Sequence, residues 1–110
     1  MDVIVREENG CLVTAVRGRL DTMTVPDFEQ RMDALVRGEG RKVVLDLGGL
    51  DYISSAGLRS VLAFSRRVKA AGGGVALCGL TGLPLEIFQI SRFDTLFTLH
   101  GGVEEAIKSL

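Results

Sequence analysis

With 110 residues, 46% of them hydrophobic and 25% charged, the sequence has the size and balance of one globular domain, which excludes a disordered or fibrous chain. Its 13 basic and 14 acidic side chains leave a formal net charge of -1 and no basic stripe, so the electrostatic footprint of a nucleic-acid-binding protein is absent. The opening MDVIVREENG lacks the basic segment and long apolar stretch of a secretory signal, which predicts a cytoplasmic protein, and the most apolar region, residues 72–90, is interrupted by Gly, Pro84 and Glu86 before it could span a bilayer.

Short β-rich runs at residues 3–6 and 11–16 flank Glu7, Glu8, Asn9 and Gly10, and the Asn-Gly pair signals a tight turn, so the chain is predicted to open with a hairpin. Residues 18–23 then lead into a helix. Thr24 is its expected N-cap, Asp27 is expected to accept from free backbone donors, and Met23 is expected to pack on Phe28 as a hydrophobic staple. Phe28, Met32, Leu35 and Val36 give this helix one apolar face. Gly38 and Gly40 end it, and residues 43–47, VVLDL, read as a strand covered on both faces.

A loop over residues 48–54 precedes a second helix from Ser55, in which Leu58, Val61, Leu62 and Val68 share a face while Arg59, Arg66 and Lys69 point outward. Three glycines at 72–74 stop it. Residues 75–78 read as a buried strand, and Pro84 suits the first turn of a short helix ending at Ile90. Residues 93–99 read as the last strand. A C-terminal helix follows Gly101 and Gly102, with Glu104 and Glu105 in its first turn and Lys108 in its last, as the helix dipole favours. The predicted order is ββαβαβαβα in a single α/β domain over residues 1–110, with a mixed central sheet packed by helices. The loop after the third strand leaves the carboxyl end of a central strand, the edge where open α/β sheets carry function.

Little in the sequence supports catalysis. His100 is the only histidine and lies far along the chain from the serines of that loop, and a serine without a placed base is inert. Cys11 and Cys78 sit in apolar, strand-like surroundings and read as small buried hydrophobes, and two separated cysteines lack metal-ligand spacing. The run Gly38-Glu39-Gly40-Arg41-Lys42 has no full Walker pattern and precedes a strand instead of opening a helix. No enzyme activity, metal or cofactor is expected.

Ser54 and Ser55 stand immediately before an apolar-periodic helix, where a hydroxyl can cap the first turn. Ala56 and Gly57 keep the helix start sterically open, Leu58 anchors it inward, and the dipole would favour a phosphate there. The segment VVLDLGGLDYISSAGLRSVL resembles the signature of STAS domains of the bacterial anti-sigma-factor-antagonist type, in which an aspartate-ended strand leads through a small loop to a serine and then Gly-Leu. GRLDTMTVPDF resembles the same family's Gly-x-Leu-Asp segment entering its first helix, and both motifs keep family order and spacing.

That resemblance implies a STAS fold and a non-enzymatic switch. The family's phosphorylated serine lies two residues before the glycine, which carries over to Ser55; many members have aspartate immediately before it, whereas this sequence has Ser54, a second candidate. Asp21, Ser54, Ser55, Gly57, Leu58 and Arg59 are the expected partner-binding residues, and Asp46 is expected to accept local backbone donors. The resemblance further implies that the unmodified protein binds an anti-sigma factor with serine-kinase activity, that phosphorylation breaks the complex, and that a serine phosphatase resets it. The alternative within the same fold is a scaffold or accessory subunit of a signalling or lipid-transport complex, held in place whether or not Ser55 is modified.

Overall fold

The computed structural model describes residues 1–110. The hairpin forms as the Asn-Gly signal predicts. Strands β1 (Asp2–Glu8) and β2 (Cys11–Leu20) pair antiparallel from Asp2 opposite Arg17 to Glu8 opposite Cys11. Asn9 and Gly10 adopt φ values of 51° and 78°, the left-handed pair that a two-residue turn needs to match strand twist.

Strand β2 runs on to Leu20, past the β-rich stretch seen in the sequence, and this extension organises the molecule. Its first part, Leu12 to Ala15, pairs in parallel with β3 (Lys42–Asp46); its last part, Gly18 to Leu20, pairs in parallel with β4 (Leu50–Ile53). A tight turn over Leu47 to Leu50, closed by the Leu50 N–H donating to the Leu47 carbonyl at 3.1 Å, steps the chain from one strand to the other. The sheet continues through β5 (Gly74–Cys78) to β6 (Leu99–His100), in the order β1-β2-β3-β5-β6 with β4 attached to β2.

Helices α1 (Val25–Leu35), α2 (Ser55–Ala70) and α3 (Gly82–Ile90) cover one face. Phe28, Met32, Leu58, Val61, Phe64, Val68 and Phe88 meet Val16, Leu20, Val43, Leu45 and Leu77 there in one core. Each fully buried side chain of this size contributes about 1.5–3 kcal/mol. On α2 the buried face runs through Phe64, whereas Leu62, expected on that face, is only half-buried. The short helix α4 (Val103–Lys108) covers the other face, where Ala106 lies over Val13, Val44, Ala76 and the free, buried Cys11 and Cys78.

The mixed α/β sheet packed by helices is therefore present, with two local corrections to the predicted order. Residues 50–53 form β4 instead of belonging to a loop, because β2 offers an unpaired edge beyond β3. Residues 93–99 are not one strand: Phe93–Leu96 is a 3₁₀ turn, entered through Arg92 at φ 63°, and only Leu99 and His100 join the sheet. Phe97 instead packs near Phe88, with ring centroids 6.2 Å apart.

Candidate functional site

The two sequence motifs, separated by some thirty residues, meet at the carboxyl ends of β2 and β4. Leu20 pairs with Ile53, and the next residue, Ser54, donates its backbone N–H to the Leu20 carbonyl at 2.9 Å. Gly57, in the first turn of α2, lies against that same carbonyl. A methyl group at Gly57 would stand 2.7 Å from the Leu20 oxygen and 2.8 Å from Ile53 Cγ1. The glycine is thus required by close approach of helix to strand, and this packing fixes the start of α2 beside Asp21.

Ser54 and Ser55 have different tasks. Ser54 is the N-cap, extended at φ -90° and ψ 173°; its Oγ accepts from Gly57 N–H at 3.2 Å while its carbonyl accepts from Leu58 N–H at 2.9 Å. Such a cap contributes about 1 kcal/mol. Ser55 is the first helical residue, is exposed, and its hydroxyl makes no hydrogen bond. Leu58 is buried at 3% exposure, so it supports the site from beneath, as does Gly57. Arg59 is exposed and four residues after Ser55, on the same helix face.

Across the edge, Asp21 organises the entry to α1. Its Oδ1 accepts from the N–H groups of Met23 at 3.0 Å and Thr24 at 3.2 Å, while Thr24 Oγ1 accepts from Asp21 N–H and donates to the Arg19 carbonyl, both at 2.9 Å. The expected capping arrangement is corrected accordingly: Thr24 makes no side-chain cap to the helix, and Asp27 pairs with Arg31 at 3.1 Å instead of with backbone donors. Met23 forms no staple on Phe28, since Met23 is 87% exposed. Partial desolvation pushes the Asp21 carboxyl up, but the Met23 and Thr24 N–H groups and the Arg19 guanidinium outweigh it and hold the carboxyl below its usual value.

Arg19 and Tyr52 were not singled out from the sequence. They are neighbours across β2 and β4, with the Arg19 guanidinium 4.5 Å from the Tyr52 ring centre and 3.4 Å from Asp21 Oδ2. The alternation Arg-Leu-Asp, which puts Arg19 and Asp21 on one side of an extended chain, was the available signal. Asp46 accepts from Gly48 N–H at 3.0 Å and shapes the β3–β4 turn, as expected of a local acceptor.

The site is a surface, not a cleft. One cavity of about 210 Å³ is lined by Asp33, Val36, Arg41 and Arg67 at the far ends of α1 and α2, and a larger one of about 410 Å³ lies between α2 and residues 96–98. His100 lies on β6, across β5 from β3. An exposed hydroxyl at a sheet edge suits contact with a protein.

Residues 2–106 match the STAS domain family. A relative in Bordetella bronchiseptica, BtrV, assigned by name as an anti-sigma factor antagonist, is 38% identical over 98 residues, which cover 89% of this chain and 84% of the relative. The anti-sigma-F factor antagonist RsfB of Mycobacterium tuberculosis is 28% identical over 101 residues, 89% of this chain and 83% of its own. Among solved structures, an anti-sigma factor antagonist from Mycobacterium paratuberculosis superposes with a TM-score of 0.88 at 22% identity, covering 98% of this chain and 92% of that one. The chain belongs to the STAS domain family, in its anti-sigma-factor-antagonist group.

Proposed function

We propose that this protein is a phosphorylation-controlled binding switch that sequesters a kinase-type anti-sigma factor while Ser55 is unmodified. The carrying observation is the division of labour between adjacent serines: the Ser54 hydroxyl is engaged in the helix cap, whereas Ser55 is exposed with a free hydroxyl on the edge shared with Asp21. The names of its relatives support an anti-sigma factor as partner and a regulatory, non-enzymatic role. The same fold in SpoIIAA, at TM-scores of 0.78 and 0.70 and 21% identity, has been solved in an unphosphorylated and a phosphorylated form.

Phosphate on Ser55 would add about -1.5 to -2 charges and a strongly hydrated group at the contact face. About 3 kcal/mol of repulsion and desolvation weakens an interface more than a hundredfold, so no refolding is needed. Arg59, one turn on and without a carboxylate partner, is placed to pair with that phosphate. The phosphoryl transfer itself belongs to the anti-sigma factor and the resetting hydrolysis to a serine phosphatase; this chain supplies the acceptor hydroxyl and the recognition surface.

The test is intact-mass and phosphosite analysis after incubation with ATP and a serine-kinase-type anti-sigma factor of the same organism, with Ser54→Ala and Ser55→Ala alongside. Phosphate on Ser55, lost only in Ser55→Ala, is expected, with Ser55→Asp losing the complex and Ser55→Ala keeping it. Stable binding with neither serine modified would instead support the accessory-subunit role.

A further inference from the structure

We infer that β1 is a self-association edge, at which a second copy of this chain adds its own β1 antiparallel about a two-fold axis through Ile4. Strand β1 is the end of the sheet and pairs only with β2. Its register with β2 is uninterrupted over all seven residues, with no bulge and no proline, and the guards it does carry are the charges of Asp2, Arg6, Glu7 and Glu8. The turn at Asn9 and Gly10 makes Glu8 and Cys11 a hydrogen-bonded pair, so alternation turns the N–H and C=O groups of Val3 and Val5 away from β2, toward the open side.

Both faces of this edge expose apolar surface: Ile4 is 50% and Val5 39% exposed. Helix α4 packs on β3, β5 and β6 and covers the Cys11 and Val13 end of the hairpin, leaving Ile4 itself half-exposed. An open strand of this kind could take any extended segment; the sequence Asp2-Val3-Ile4-Val5-Arg6 selects itself. With Ile4 opposite Ile4, Val3 of one copy faces Val5 of the other, and Asp2 faces Arg6, so the charges at the two ends are complementary in both directions.

The neighbouring two-fold registers lack this match. Moving the axis to Val5 sets Asp2 against Glu8 and Ile4 against Arg6; moving it to Val3 sets Asp2 against Ile4. Parallel pairing in register sets like charge on like. Asp2 and Arg6 are both exposed. Arg6 already contacts Glu8 on its own strand at 3.0 Å, and its guanidinium has donors enough to bridge that carboxylate and the incoming Asp2. Two copies joined this way form one continuous sheet, with β1 of each lying on the opposite side of β2 from the β4 strand that carries the serine loop.

Sedimentation velocity of the purified chain over a wide concentration range tests this, with wild type, Asp2→Arg, Arg6→Asp and the double exchange Asp2→Arg/Arg6→Asp. Wild type is expected to dimerise with concentration; each single reversal, which creates two like-charge pairs per dimer, should raise the dimer dissociation constant roughly ten- to a hundredfold, and the double exchange should return it to near wild type. Thermal unfolding checks each variant, and Ile4→Lys, at a half-exposed position, supplies a further monomer control should a reversal fail to fold. A wild type that stays monomeric throughout, or a double exchange no better than the single reversals, overturns the proposal.

Discussion

At the residue scale, the site depends on positions whose side chains do little chemistry. Gly57 is the sharpest case, because the space for a methyl is already occupied by a backbone carbonyl and Ile53. Gly57→Ala should cost about 1–3 kcal/mol, read as a lowered urea midpoint at unchanged m-value, since strand and helix must separate to admit it. Ser54→Ala should cost about 1 kcal/mol through loss of the cap, while leaving Ser55 a phosphate acceptor. Asp21 makes a pH-dependent contribution. Its folded pKa lies below the unfolded value near 3.8, so its stabilisation is complete above that value and is lost as pH falls through the lowered one. Asp21→Asn should therefore flatten the acid limb of a stability-versus-pH curve in that range; an unchanged limb would show that the carboxylate's hydrogen bonds contribute nothing.

At the element scale, α4 and the strands beneath it make the two cysteines inert. Burial, and then the Asp46 charge, push the Cys78 thiol up to about 11, against a small opposing effect of Arg6. Because the unfolded chain ionises first, the thiol's contribution is intact below about pH 9 and lost as pH rises toward 11. A thiol reagent at neutral pH should accordingly modify Cys78 only at the rate at which the α4 region opens, and denaturant should raise that rate steeply. The same scale separates what the sequence could tell from what it could not. The hairpin was legible because Asn9-Gly10 codes its own turn, and α2 because its apolar spacing and flanking serines and glycines agree. Strand β4 was not: LDYI is four residues with an aspartate inside it, and it is a strand only because β2 extends far enough to receive it. Phe93 to Leu99 has strand-forming residues, but the left-handed Arg92 turns the chain and leaves two residues to meet β5. Legible too was the serine pair, though not which hydroxyl would be consumed by the cap; that depends on Gly57 N–H reaching Ser54 and not Ser55.

At the scale of the molecule, the serine edge stands on a sheet packed on both faces, and nothing in the core needs to change when the surface changes. Ser55→Asp should therefore retain the wild-type melting temperature within a few degrees, and its near-ultraviolet circular dichroism, while losing the partner. A large drop in melting temperature would mean that the charge acts by loosening the fold.

The shared Leu20 carbonyl has a consequence for anyone wishing to exchange recognition between relatives. Because one oxygen receives Ser54 and crowds Gly57, segments 18–24 and 50–58 form a single graft unit although the chain separates them. A chimera that transplants one segment alone would match a foreign strand end to a native helix start and should fold poorly or bind neither parent's partner. Transplanting both together should move specificity as a block.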